Sequence, residues 1–249
     1  MKKAISLVLC LSLLAACAFS AAAEPDYSEP SVSAACAVVI EPTSGRVLFA
    51  KNADKRASMA STTKIMTALL LCENCDLQST ATVTAEMVAV EGTSMGLQAG
   101  DTVHYRDLLY GMLLASGNDA ANAAAILIAG SLKDFARLMN ARAKQLGMSS
   151  TNFVTPSGLD DENHYTTAAD MAKLAAAAMN NSTFAEAAGS TSAQLEYGSP
   201  PYKRTLTNHN KLLRLYDGCN GVKTGFTKKS GRCLVSSAER GGKRVIAVT

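Results

Sequence analysis

The chain has no tryptophan, only 5% aromatic residues and three histidines in 249 positions. Its Lys and Arg residues are scattered rather than clustered among aromatics, and the formal net charge is only +3. That excludes the electrostatic footprint of a nucleic-acid binder. Cys72-Glu73-Asn74-Cys75 has the spacing of half a metal site or a redox pair. No second Cys or His pair completes a zinc site and no βαβ pattern surrounds it, so no metal and no cofactor are expected. Of the seven cysteines, Cys10 and Cys17 fall in the leader, leaving Cys36, Cys72, Cys75, Cys219 and Cys233. An odd count argues against a full disulfide framework. These thiols read as buried or incidental, with a local Cys72–Cys75 bridge as the alternative. Internal repeats and low-complexity linkers are also missing, which favours one domain.

The two ends of the chain carry their own signals. Lys2 and Lys3 precede an apolar run from Ile5 to Leu14, followed by Ala21-Ala22-Ala23. Residues 1–23 therefore read as a secretory signal peptide, the run being short for a membrane span. Leu14-Ala15-Ala16-Cys17 also fits a lipoprotein signal, in which a lipidated Cys17 would associate the protein with the membrane. Both readings imply export to the cell envelope. Residues 24–33, with Pro25, Pro30 and several Ser and Glu, read as a disordered lead-in, and residues 34–249 as the catalytic domain. Val245-Ile246-Ala247-Val248-Thr249 ends the chain inside an apolar strand pattern. A C-terminally truncated sequence is the expectation, and any membrane anchor would lie beyond it.

Three short motifs carry the chemistry: Ser61-Thr62-Thr63-Lys64, Ser116-Gly117-Asn118 and Lys223-Thr224-Gly225. Met59 to Cys72 is rich in Ala, Leu, Ile and Met without Gly or Pro, which predicts a buried helix starting near Ser61. Residues i and i+3 share a helix face, so the Lys64 amine lies within reach of the Ser61 hydroxyl. Serine needs a neighbouring base to become a nucleophile. Lysine can be that base only when burial or a nearby cation lowers its pKa; the apolar helix supplies burial and Lys223 the cation. Ser116-Gly117-Asn118 breaks two helical stretches, Asp107 to Leu114 and Ala120 to Ile128, as a tight turn whose hydroxyl and amide can relay a proton and hold a peptide group. Ser150-Thr151-Asn152 repeats the Ser-x-Asn pattern, but it comes just after Gly147, where a helix stop and a loop are expected. Lys223-Thr224-Gly225 falls in a strand from Gly221 to Phe226. There Gly225 would let a ligand backbone lie close, and Lys223 and Thr224 would bind a carboxylate.

With these residues in hand, the chain resembles the low-molecular-mass penicillin-binding proteins that act as serine-type D-Ala-D-Ala carboxypeptidases. Ala60-Ser61-Thr62-Thr63-Lys64-Ile65-Met66-Thr67 is similar to the family's active-site helix. Pro156-Ser157-Gly158-Leu159-Asp160 with His164-Tyr165-Thr166-Thr167 is similar to its middle loop. Asn208, Asn210, Lys211, Leu212 and Leu213, leading into Gly221-Val222-Lys223-Thr224-Gly225, resemble its approach to the third motif. The resemblance implies that Ser61 is acylated, that Lys64 is its base, that Ser116 relays a proton and that Asn118 holds substrate. It also implies that Lys223 binds the terminal carboxylate and that the N–H groups of Ser61 and Phe226 form the oxyanion hole. The implied partners are peptidoglycan stem peptides, with β-lactams as covalent inhibitors. His104, His164 and His209 read as structural.

The expected fold is α+β, β-lactamase/transpeptidase-like: an antiparallel sheet built from both chain ends, with a helical region inserted between them. Predicted strands are Ala35 to Glu41 and Arg46 to Ala50 at the front, then Arg204 to Asn208, Gly221 to Phe226, Arg232 to Ser237 and Val245 to Thr249. Predicted helices are Ser61 to Cys72, Asp107 to Ile128 with its break, Leu132 to Leu146 and Ala168 to Met179. Two functional alternatives stand beside the carboxypeptidase: a β-lactamase, and a non-catalytic wall-peptide binder, which intact Ser61 and Lys64 disfavour. A class A lactamase uses a loop glutamate for deacylation. The pattern sought, Glu four residues before Asn, is absent, since Thr166 stands at that offset from Glu162.

Overall fold

The computed structural model describes residues 29–249; the signal-like leader, Cys17 and the first part of the lead-in fall outside the described residues. Residues 34–249 form one compact unit. Strands β1 (Ala37–Ile40) and β2 (Val47–Lys51) come from its start, and β7 (Cys219–Thr227), β8 (Gly231–Arg240) and β9 (Lys243–Val248) from its end. They make one antiparallel sheet in the order β2-β1-β9-β8-β7. The ends are joined where Val38 pairs with Val248, which pairs on its other side with Val235. Paired residues of neighbouring strands share a sheet face, and all three valines are buried there. The inferred architecture is therefore the observed one, an α+β fold with helices inserted between β2 and β7.

The central helix, α1 (Lys64–Asn74), departs from expectation at its start. A 3-10 turn over Ala60–Thr63 leads into it, so Ser61 stands in the turn and Lys64 opens the α-helix. Ala60 has φ 46°, a left-handed conformation that L residues rarely adopt, which stops the α-helix from extending backward. Every residue from Lys64 to Leu71 is buried. A helix apolar on all sides can only sit in the core, and this one does.

Shorter elements come next: β3 (Thr80–Thr82), α2 (Ala85–Val88) and β4 (Thr102–His104). Helices α3 (Tyr105–Leu113) and α4 (Asn118–Ala129) flank the Ser-Gly-Asn break as predicted. Alanines 120, 121, 123, 124 and 125 are wholly buried, their small side chains letting α4 fit among its neighbours. α5 (Leu132–Gln145) starts at the predicted cap, with the Ser131 hydroxyl accepting from the Asp134 N–H at 3.1 Å. α6 (Ala168–Met179) has the predicted bounds. None of β3, α2, β4, α7 (Ser182–Gly189), β5 (Ser192–Gly198), the early start of β6 (Pro201–Thr207) or α8 (Leu212–Leu215) was placed from the sequence. Among the described residues, no helix is long and apolar enough to cross a membrane, and the five thiols are free.

Asp119, in the first turn of α4, ties the Ser116 turn to the loop before it. Its carboxylate accepts from Ser94 Oγ (2.5 Å) and from the N–H groups of Met95 (2.9 Å), Gly96 (3.0 Å) and Leu97 (3.0 Å). The side chain is 2% exposed. Replacing it strands several buried donors, each costing roughly 1–3 kcal/mol. Asp119→Ala is expected to lose about 3 kcal/mol or more, read as a lower denaturant midpoint with unchanged slope. A loss below about 1 kcal/mol would show that the loop finds other partners.

Candidate active site

The 3-10 geometry brings Ser61 and Lys64 together more directly than an α-helix would, because side chains at i and i+3 eclipse in it. Lys64 Nζ lies 3.0 Å from Ser61 Oγ. The same nitrogen is 2.7 Å from Asn118 Oδ1 and 2.7 Å from the Ser157 carbonyl. Neither of those acceptors can donate through the atom concerned. A neutral amine has two N–H bonds and one lone pair; with both N–H bonds given to Asn118 and Ser157, the lone pair is left for the Ser61 hydroxyl. Lys64 is completely buried. Desolvation, then the positive charge of Lys223, hold its pKa well below the ordinary lysine value, with Asp119 opposing.

Three segments distant in sequence build this arrangement. Ser116, at φ 59°, turns the chain between α3 and α4, and its carbonyl accepts from Thr93 Oγ1 at 2.6 Å. Asn118 is fixed at both ends of its carboxamide: Oδ1 accepts from Lys64, and Nδ2 donates to the Glu91 carbonyl at 2.7 Å. Holding Lys64 is therefore a present duty of Asn118, beside whatever it offers a ligand. The loop after Phe153 supplies the Ser157 carbonyl to Lys64 and the Pro156 carbonyl to Thr67 Oγ1 at 2.6 Å.

β7, the terminal strand of the sheet, closes on the Ser61 turn. Gly225 makes that possible, but not in the way the sequence suggested. A Cβ there would lie 3.1 Å from Ala60 Cβ and from the backbone nitrogens of Ser61 and Thr62. The missing side chain admits the Ser61 turn, rather than only a ligand backbone. Lys223 is 1% exposed and donates to the Thr224 carbonyl at 2.9 Å. Burial lowers its pKa to about 7.

The cleft itself has a volume of about 550 Å³. Ser61, Ser116, Thr224, Gly225 and Phe226 line it, joined by Thr93, Lys211 and Arg232, to which sequence reasoning gave no role, and by His209, which it read as structural. His209 lies just before Asn210 in the approach to the third motif, and that position was its one available signal. Its pKa is lowered by desolvation and then by Lys223. Among the described residues, no carboxylate lines the cleft while Lys211 and Arg232 do, so its charge favours an anionic ligand. The decoy Ser150-Thr151-Asn152 lies elsewhere: Asp170 accepts from the Ser150 N–H and the Thr151 hydroxyl, and Thr151 and Asn152 line a separate depression with Asn140 and Lys144. Among the described residues, no group of three or more His, Cys, Asp or Glu side chains could hold a metal.

The chain matches the family model for D-alanyl-D-alanine carboxypeptidases over residues 22–249. It is 37% identical over its whole length to the D-alanyl-D-alanine carboxypeptidase DacF of Bacillus subtilis, of which it spans 66%. Its fold is similar to the crystal structure of a Streptomyces DD-transpeptidase, with a TM-score of 0.84 and 35% identity, covering 89% of this chain and 91% of that one. It is likewise similar to a D-alanyl-D-alanine carboxypeptidase from Mycobacterium tuberculosis, with a TM-score of 0.85 and 33% identity, covering 90% and 85% of the two chains. With the three motifs assembled around one cleft, this chain belongs to the D-alanyl-D-alanine carboxypeptidase family.

Proposed function

We propose that residues 34–249 form a catalytic domain that removes the terminal D-alanine from peptidoglycan stem peptides through an acyl-enzyme on Ser61. The observation that carries this reading is the buried Lys64 amine, 3.0 Å from Ser61 Oγ and 2.7 Å from each of two pure acceptors, Asn118 Oδ1 and the Ser157 carbonyl. Ser61 Oγ attacks the carbonyl of the penultimate residue, and its proton passes to Lys64. The developing oxyanion is met by the N–H groups of Ser61 and Phe226. Ser116 passes the proton from Lys64 to the departing D-alanine amine, the C–N bond breaks, and Lys64 is again neutral. It then takes a proton from a water that attacks the ester carbonyl; the bond from that carbon to Ser61 Oγ breaks, and Lys64 returns the proton to Oγ, freeing the shortened peptide. Thr224 in the cleft lining and the charge of the neighbouring Lys223 favour the terminal carboxylate, and Asn118 adds a donor for the peptide. β-Lactams would acylate the same serine. Export through residues 1–23 belongs to this proposal, with a lipidated Cys17 or a C-terminal anchor as the variants that would add a membrane partner.

Acylation by penicillin is expected to add one drug mass to the peptide containing Ser61, and Ser61→Ala to abolish it. Lys64→Ala should slow acylation by a factor on the order of 10² or more. Labelling that survives in Ser61→Ala would remove Ser61 from the nucleophile's role.

The two lysines give the acylation rate opposite pH limbs. Lys64 acts when neutral, so the rate rises as pH climbs through its lowered pKa. Lys223 acts when charged, so the rate falls as pH passes its value of about 7. Because the Lys223 charge depresses Lys64, Lys223→Met should shift the rising limb to higher pH and remove the falling one. A profile unchanged in shape by Lys223→Met contradicts this assignment.

Hydrolysis of peptide and of penicillin separate the carboxypeptidase from a β-lactamase. Glu162 is exposed on its loop, and Lys64 is the evident base for both half-reactions. A bulky penicilloyl group that hinders water should therefore leave in minutes or longer, while D-alanine is released from a pentapeptide. Stopped-flow and D-alanine assays on one preparation decide it; rapid turnover of penicillin without peptide hydrolysis would assign the chain to the β-lactamases.

A further inference from the structure

Behind the nucleophile lies a hydrogen-bonded chain that the proposed reaction does not use. His164 closes the loop after Phe153 and is 3% exposed. Its Nδ1 faces two backbone donors, the N–H groups of Val154 at 2.9 Å and Thr155 at 3.3 Å. Nδ1 must therefore be an acceptor, and the ring proton must sit on Nε2. Nε2 is 2.8 Å from Thr63 Oγ1, so the imidazole donates to the threonine hydroxyl. That hydroxyl then has one proton to place, and it lies 2.8 Å from the Ala60 carbonyl. Each group in the chain is left one role, and the direction is His164 to Thr63 to Ala60. Burial lowers the imidazole pKa to about 4 despite the opposing charges of Asp161 and Asp160, which keeps the ring neutral near neutrality.

We propose that His164 is a positioning residue for the oxyanion hole, acting through Thr63 on the peptide plane that joins Ala60 to Ser61. The inference rests on the reading of Ser61 as nucleophile and oxyanion-hole donor. A trans peptide is planar, with its C=O and N–H pointing in opposite directions. Fixing the Ala60 carbonyl therefore fixes the direction of the Ser61 N–H. The carbonyl is held on one side by the Thr63 hydroxyl and hemmed in by Gly158, where a Cβ would come within 1.9 Å of Ala60 O. On the other side Gly225 brings β7 to the Ser61 nitrogen. The restraint matters because Ala60, at φ 46°, lacks the freedom of glycine and would relax if released. The Ser61 N–H belongs to the first turn, whose N–H groups have no partner inside the helix, so its aim is set from outside. An oxyanion donor works only when preorganised toward the developing charge.

A structural role alone would make His164 a tie between the loop and the 3-10 turn, affecting stability and not the chemical step. Four variants separate the two roles: His164→Leu, His164→Gln, Thr63→Val and Thr63→Ser. For each, the dissociation constant of the initial penicillin complex, the first-order acylation rate and the melting midpoint are measured. His164→Leu and Thr63→Val are expected to keep the dissociation constant within about twofold and to acylate about 10–10²-fold more slowly, part of the 10²–10³ that a whole oxyanion donor supplies. Thr63→Ser, which keeps the hydroxyl, and His164→Gln, which can accept with its oxygen and donate with its nitrogen, should recover most of the rate. The double variant His164→Leu/Thr63→Val should be no slower than its slower parent, since both break one chain. A folded Thr63→Val that acylates at the wild-type rate overturns the proposal, as does a loss that Thr63→Ser fails to restore or a double variant whose losses multiply. Failure of both His164→Leu and Thr63→Val to fold would assign the pair to stability and overturn it too. Wild-type protein that is not acylated at Ser61 would instead remove the functional reading on which the inference rests.

Discussion

A lysine amine withdrawn from water must be matched by acceptors whose geometry does not drift, and the elements around Lys64 are arranged to meet that demand. One acceptor, Asn118 Oδ1, comes from the start of α4. The other, the Ser157 carbonyl, comes from a loop far along the chain, anchored in turn by Pro156 on Thr67. Asn118 is itself held by Glu91, and the turn before it by Asp119 and Thr93. Each of these groups is positioned by another, so the amine's surroundings are a connected polar network inside an apolar core. Such networks are rigid when satisfied and costly when broken.

The broad plan was legible because it is written in patterns that survive without neighbours. Period and composition placed α5, α6 and the main sheet strands within a few residues, and the Ser131 cap marked where α5 begins. The three motifs were legible as a set, and they do meet around one cleft. What the pattern did not carry was the entry to the active-site helix. Nothing local to Ala60 announces a left-handed φ; that conformation is imposed by Gly158 and Thr63 from one side and Gly225 from the other. β5 was legible but overlooked, since Ala193, Leu195 and Tyr197 alternate with exposed polar residues; β6 is harder to see, with Pro201 at its start and only Tyr202 and Leu206 turned inward among exposed polar residues. Gly225 was assigned to a ligand when its nearest neighbours belong to the Ser61 turn, a distinction that depends on contact rather than on sequence.

The same geometry bears on how one fold carries relatives named for hydrolysis and for group transfer. In the proposed reaction, forming the acyl-enzyme calls on the serine, the buried amine and the oxyanion donors. The fate of that ester depends on whether water or an amine reaches it, which is a property of the cleft wall. In this chain that wall includes His209, Lys211 and Arg232 around the Ser61 mouth. Acceptor choice can therefore change through residues outside the polar network, leaving the Lys64 surroundings intact.

Ser61 and Gly225 are separated by most of the domain, yet in the fold β7 lies against the serine's turn, and Lys64 finds its acceptors on two further distant segments. In an unfolded chain Lys64 is a hydrated ammonium and Ser61 an ordinary alcohol. A covalent β-lactam adduct at that serine would thus count native molecules and leave misfolded copies unmarked, making the antibiotic a stoichiometric gauge of conformational integrity.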